Sequence, residues 1–365
     1  MHIPDGYLSP QTSAVFGVTM LPLWYQASRR VQNVVKTRYV PLVALGAAFS
    51  FVVMMFNIPI PNGTTAHAVG AGLVAVLLGP WAACVAVSTA LLIQALFFGD
   101  GGLLAYPANA FNMAVLMPFV AYGVYRLLCR GTPLTSARRP LAAAVGGYLG
   151  INVAALATAV EFGVQPELFH TSDGTPLYAP FHLAQAVPAM MLGHLAVAGV
   201  VEAVLTGGVV AYLQRANLPL LRINAPGIPL TEADAARRRV NPVTAGLVAM
   251  GVMAALTPLG LLAPGGAFGE DRPGDLDLGR YGLSAVPAGL QRYSNLWGHA
   301  VLPGYGDGGG WQYVLSAVLG IAAIGLGTAG LVWLLRRLRR AEAGADRPEP
   351  SGHRPEPASR VEASP

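Results

Sequence analysis

Long apolar runs separated by short polar breaks dominate the chain. The first run covers residues 10–28, and nothing from Gly6 to Ser28 is charged. From Tyr39 to Gly99 there is no Asp, Glu, Lys or Arg at all. Turn formers divide that stretch: PIPNG at 59–63 and Gly79-Pro80. The pieces predict helices near 39–58, 64–78 and 81–98. Further runs predict helices at 104–128, 141–162 and 183–213 and, after a polar stretch, at 243–262 and 312–335. A helix needs roughly 20 mostly apolar residues to cross a bilayer core. The pattern is therefore that of an all-α, polytopic transmembrane helical bundle of nine spans, seven followed by two.

Composition agrees: 54% of the 365 residues are hydrophobic and 11% charged, far too apolar for a soluble domain. Arg29, Arg30, Lys36 and Arg38 follow the first span, and Arg126, Arg130, Arg138 and Arg139 the fifth. Arg215, Arg222 and Arg237 to Arg239 follow the seventh; Arg336, Arg337, Arg339, Arg340 and the tail arginines follow the ninth. Of the 23 basic residues only Arg272, Arg280 and Arg292 fall on the other side. The positive-inside bias puts the C-terminus in the cytoplasm and the N-terminus outside. The expected parts are a seven-span core (1–215), a cytoplasmic linker (216–242) and a two-span accessory domain (243–340). The accessory domain carries an extracytoplasmic loop at 264–311, and a disordered cytoplasmic tail (341–365) follows. No basic n-region follows Met1, so no cleavable secretory signal is expected. The expected location is the cell membrane.

Several function classes lose support. The only lysine, Lys36, follows Val35, so the chain lacks the Gly-Lys of an ATP-binding P-loop. An intramembrane metalloenzyme would want HExxH, which is absent. A passive cation channel would want rings of carboxylates, and the spans hold only Glu161 and Glu202. Cys84 and Cys129 read as single buried thiols. No nucleic-acid partner is expected.

The opening MHIPDGYLSP carries the candidate chemistry. His2 is large enough to protect Met1 from trimming, so a deformylated chain keeps a free amine there. The amine, the His2 amide and the His2 ring nitrogen nearest the backbone can chelate one divalent ion through a five- and a six-membered ring. Three coplanar nitrogens suit Ni(II) or Cu(II) better than Zn(II). The candidate fourth nitrogen is His67, in NGTTAHAVGAG. A helix over 64–78 covers only about 22 Å of a core roughly 30 Å thick, and a short, interrupted span marks a binding site. Thr64 or Thr65 would cap it, leaving His67 neutral in the first turn. A buried histidine bonded to a carbonyl is the alternative. Pro4, Pro10 and Asp5-Gly6 suit a terminus that folds back.

Other polar residues are less specific. Asn109 and Asn112 share a helical face and either bond the N-terminal loop or simply join helices. His170, Asp173 and His182 suit a solvated outer loop that could also concentrate cations. His299, beside Trp297, has the same two readings. His194 and Glu202 lie on one span, and Glu202 must face the interior or a partner, or sit protonated. Glu161, near its helix end, can reach the interface.

MHIPDGYLSP followed by PIPNGTTAH resembles the substrate-binding S component of energy-coupling-factor (ECF) ABC transporters for nickel and cobalt, the CbiM/NikM family. The resemblance covers residues 1–213 and includes YPANAFNMA at 106–114. It implies a metal held by the Met1 amine, the His2 amide and imidazole, and the His67 imidazole. Residues 243–335 resemble the two-span CbiN/NikN accessory subunit in layout, although RPGDLDLGRYGLSAVP departs from that subunit's usual loop text. The implied role is non-enzymatic: capture of Ni(II) or Co(II) as transported substrate, with no prosthetic group. The implied partners are a transmembrane coupling (T) subunit and two cytoplasmic ATPases. Planar nitrogen ligation leans to nickel, with cobalt as the alternative.

Overall fold

In the computed structural model the described residues are 1–34, 40–60, 64–225, 227–229, 241–263, 266–306 and 309–345. Lys36, Arg38, Arg237 to Arg239 and the tail from 346 onward lie outside them. The protein is a helical bundle. The helices are α1 (Pro10–Val34), α2 (Val40–Met54), α3 (Ala71–Leu78), α4 (Pro80–Phe98), α5 (Tyr106–Leu128), α6 (Arg138–Leu168), α7 (Leu183–Ala216), α8 (Pro242–Leu262) and α9 (Gly310–Ala345). Six helices among the described residues are long and apolar enough to cross a membrane: α4 to α8 and the Gly310–Gly330 part of α9. α2 is a shorter apolar helix. The chain is thus an all-α, multi-pass membrane protein.

The bundle packs through small residues, as close helix approach in a membrane requires. α6 lies between α5 and α7, with Gly146 and Gly150 against the α5 backbone and Gly147 against Thr206 of α7. α8 and α9 pack on α2, where the Tyr313 hydroxyl donates to the Met55 carbonyl at 3.0 Å.

One predicted helix is wrong in kind. Residues 64–78 are not a single helix. Thr64–Ala66 is a strand (β2), paired antiparallel with Ile58–Ile60 (β1). Residues 67–70 are irregular, and the helix starts only at Ala71. β-branched Thr64 and Thr65 favour the extended form, and Gly70 turns the chain at φ +74°, where a side chain would be strained. Neither threonine caps α3 and His67 is not in its first turn, so the helix-dipole argument for its neutrality does not apply. α9 also continues to Ala345, into the expected tail.

The first nine residues fold into the bundle. Met1, His2, Ile3, Tyr7 and Leu8 are all buried. Several backbone polar groups of the segment find protein partners in place of water. The Ile3 amide donates to Asn109 Oδ1 at 2.8 Å, and Asn109 Nδ2 donates back to the Ile3 carbonyl at 3.0 Å. The Ser9 amide donates to Gln165 Oε1 at 2.9 Å, and the Ala179 amide donates to the Tyr7 carbonyl at 3.0 Å. Ser9 caps α1, its hydroxyl accepting from the Thr12 amide at 3.0 Å, with Pro10 in the first turn. The Tyr7 ring packs on Phe162 and Phe181.

Asp5 is the anchor of this segment. Its carboxylate accepts from the amides of Leu103, Leu104 and Ala105 at 3.0, 2.8 and 3.1 Å, at the entry to α5. Burial raises the Asp5 carboxyl above its ordinary value, while the three amides pull the other way. Asp5→Ala removes the acceptor of all three donors. We expect a loss of about 3 kcal/mol or more of stability, read as a lower thermal unfolding midpoint in detergent. An unchanged midpoint would show that these bonds do not hold the segment.

Candidate metal centre

The hairpin β1–β2 and the irregular turn after it deliver His67 to the N-terminal segment. The His2 and His67 rings lie 5.1 Å apart, centroid to centroid, and both residues are buried. Ligand atoms of His2, His67 and Glu270 all lie within 4.8 Å of one another. The α-amine of Met1 lies 3.4 Å from Glu270 Oε1. Met1, His2 and His67 therefore meet in one place, joined by an acid from the segment between α8 and α9.

Hydrogen bonds assign the protons on both rings. His67 Nδ1 lies 3.0 Å from the Ala68 carbonyl. A carbonyl only accepts, so Nδ1 carries the proton and Nε2 keeps a lone pair. That Nε2 is buried and has no hydrogen-bond partner among the described residues, an arrangement that suits a ligand atom. At His2 the assignment runs through Gln94. The Gln94 amide nitrogen donates to the Tyr305 hydroxyl at 2.9 Å and to Asp100 Oδ2 at 3.2 Å. Its oxygen is left facing His2 Nε2 at 3.3 Å, so that nitrogen donates. Nδ1, the nitrogen nearest the backbone, lies 3.5 Å from Asp100 Oδ1, an acceptor, and offers its lone pair to an ion only when it carries no proton. The Tyr305 hydroxyl also bonds Asp100, closing the network.

A buried carboxylate on α7 holds the turn that carries His67. Glu202 Oε2 accepts from the amides of Val69 and Gly70 at 3.0 and 2.8 Å, and the Thr206 hydroxyl donates to Oε1 at 3.4 Å. Of the alternatives open for Glu202, the structure shows the interior one, with a backbone-holding role the sequence did not suggest. His194 is also buried; its Nδ1 donates to the Met190 carbonyl at 2.7 Å, and the residue lines the same small pocket as Met1.

The two asparagines divide the alternatives between them. Asn109 bonds the N-terminal segment, as above. Asn112 turns to α6, donating to Thr158 Oγ1 at 3.1 Å and to Glu161 Oε2 at 2.8 Å. Glu161 is therefore buried against Asn112 and does not reach the interface as expected. His170, Asp173 and His182 are not part of the centre. His182 pairs with Glu167 at 2.8 Å on the surface, and the Thr171 and Thr175 hydroxyls hold the exposed Asp173 carboxyl below its usual range. His299 is exposed against Trp297. Cys84 and Cys129 are buried free thiols.

Sequence reasoning missed Gln94, Asp100 and Glu270. Asp100 had a signal, as the first charge after a long uncharged stretch. Gln94 had a weaker one, as a lone amide near the end of a span. Nothing in the text around Glu270 distinguishes it from the other acids of its loop.

These features define a multi-pass membrane protein with a buried, nitrogen-rich cluster built on its N-terminus. Residues 2–220 match the family model described as the cobalt uptake substrate-specific transmembrane region, CbiM, and the chain belongs to that family. The fused nickel transport protein NikMN of Rhodobacter capsulatus is 50% identical over 356 residues, spanning 92% of this chain and 99% of that protein. The probable fused nickel transport protein LarMN of Lactiplantibacillus plantarum is 47% identical over 278 residues, spanning 76% of this chain and 79% of that one. A crystal structure described as a truncated transition metal transporter is 59% identical, with a TM-score of 0.55, and covers 58% of this chain and 98% of that chain.

Glu202 gives a test of the scaffold. Glu202→Ala leaves the buried amides of Val69 and Gly70 without their acceptor. We expect destabilisation of about 2–4 kcal/mol, with a smaller loss for Glu202→Gln, which keeps one oxygen. Thermal unfolding in detergent measures both, and equal midpoints for Ala, Gln and wild type would remove Glu202 from this role.

Proposed function

We propose that this chain is the substrate-capture subunit of an ECF-type ABC transporter that imports nickel across the cell membrane. The observation that carries the reading is the cluster itself: a buried terminal amine, His2, and a His67 Nε2 lone pair with no other partner among the described residues. The ion is the cargo. Met1 supplies the amine, His2 the amide and Nδ1, and His67 the Nε2. In this reading residues 1–215 form the seven-span core with the N-terminus outside. Residues 243–340 form the fused accessory domain, and the polar 216–242 linker joins the two in the cytoplasm. Asn109 holds the backbone of the liganding segment in place.

The names of the relatives favour nickel. Those matching most of the chain are named as nickel transport proteins. Relatives named as cobalt transport proteins match shorter stretches, such as 38% identity over 164 residues in Chlorobium limicola. Cobalt remains the second reading on that ground. The chain has no Gly-Lys loop for ATP, so a coupling subunit and two cytoplasmic ATPases supply the energy. Ligation removes protons from the amine and from the His2 amide, so binding weakens as pH falls.

Metal analysis of the purified protein, untagged at its N-terminus, is the direct test, and we expect one nickel ion per chain. His67→Ala should lose the ion while the protein stays monodisperse in detergent. One residue inserted between Met1 and His2 enlarges a chelate ring and should abolish high-affinity binding. Stoichiometric nickel in both variants would refute this ligand set. Titrations at falling pH should show progressively weaker binding; a pH-independent affinity would exclude amide ligation.

A further inference from the structure

Glu270 belongs to no part of the core, yet it is the acid nearest the terminal amine. Its position follows from how the segment around it is tied. On one side, the Thr65 amide and the Thr64 hydroxyl both donate to the Gly266 carbonyl, at 3.3 and 3.1 Å. Ala267 bridges Thr65 in parallel register. Those residues lead directly into His67. On the other side, the Tyr7 hydroxyl donates to the Asp271 carbonyl at 2.8 Å, which fixes the segment to the chain that carries Met1 and His2. Further along the same loop Leu290 covers the N-terminal turn. A Cβ on Gly6, whose φ is +91°, would come within 2.8 Å of the Leu290 carbonyl oxygen. Residues 266–271 are thus tied to both ligand-bearing segments at once, and Glu270 is the side chain that enters between them.

Burial adds a direction. The Met1 side chain is fully covered, while 23% of the Glu270 side chain remains exposed. Glu270 is the member of the cluster that touches both the closed interior and solvent. We infer that Glu270 is a carboxylate donor of the metal centre, supplied by the accessory loop, that meets the divalent cation at the solvent side and stays in contact with it as its counter-charge. The carboxylate that faces the terminal amine faces the ion once the amine has become a ligand. A hard oxygen donor accepts a hydrated divalent cation before the nitrogens close around it. This rests on the nitrogen-site reading above, and the two fail in different ways.

The test uses the full chain with a free N-terminus in detergent or nanodiscs, titrated with nickel in a calorimeter. Glu270→Gln keeps the shape and removes the charge. Glu270→Ala removes the side chain and is read beside it. Asp275→Asn changes an exposed acid of the same loop outside the cluster. We expect both Glu270 variants to weaken binding by about tenfold to a hundredfold, with Asp275→Asn within about twofold of wild type. Wild-type affinity in both Glu270 variants, with the ion lost in His67→Ala, overturns the role of Glu270 and leaves the nitrogen site standing. A wild-type chain that takes up no nickel overturns both.

Discussion

The structure depends on burying the N-terminal chain among helices while giving its backbone protein partners, as at Ile3, Tyr7 and Ser9. A buried amide without a partner costs several kcal/mol in a medium that offers no water. The chain meets this with side chains chosen for reciprocity. Asn109 both gives and takes a bond at Ile3, Gln165 accepts from Ser9, and Asp5 accepts from three successive amides at the head of α5. Each of these partners sits on α5 or α6, or at an end of one of them. The short loop between α4 and α5 is therefore also the floor on which the terminus rests.

Three helices are also locally widened. Each of α4, α5 and α7 contains a π-type turn, at Gln94–Phe98, Phe111–Leu116 and His194–Ala198. Such turns shift the register of a helix and free backbone for unusual bonding, and they concentrate at functional sites. Here each carries a buried polar side chain: Gln94, Asn112 and His194. Gln94 matters most for the chemistry. By committing its amide nitrogen to Tyr305 and Asp100, it places a proton on His2 Nε2. Tyr305 lies beyond α8, so part of the electrostatic setting of His2 is imposed from the segment between α8 and α9.

Much of this was legible in the residues, and the remainder failed for definable reasons. Apolar runs located nearly every helix, because exclusion of charge is imposed by the bilayer and needs no tertiary information. The terminal pair Met1-His2 and His67 stood out because amine, amide and imidazole at that spacing have few other uses. The 64–78 helix failed because apolar content does not separate a strand and turn from a short helix. What decides it is Glu202, more than a hundred residues away, drawing off the amides of Val69 and Gly70. Glu161 failed for a similar reason: closeness to a helix end suggested solvent, and its partner Asn112 lies on another helix. Glu270 was invisible because its neighbours in space, Met1, His2 and His67, come from the opposite end of the chain.

Charge balance explains why a site of this kind would draw on two parts of the chain. A divalent ion in a closed interior is costly unless nearby negative charge offsets it. In the proposed ligation the deprotonated His2 amide contributes one negative charge, and the imidazoles and amine contribute none. One further negative charge makes the assembly neutral. The core offers Asp100, whose Oδ2 is held by Gln94 and Tyr305 and whose Oδ1 lies 3.5 Å from His2 Nδ1. Glu270 comes from outside the core and, among the described residues, its carboxylate is held by the amine that the ion would claim. Its side chain is also the partly exposed member of the cluster, so this charge is not fully buried when no ion is present. Carrying both parts on one chain keeps the carboxylate at a high effective concentration beside the N-terminal turn. In the proposed reading, metal capture then depends on how the segment between α8 and α9 sits on that turn, as well as on the nitrogen donors beneath it.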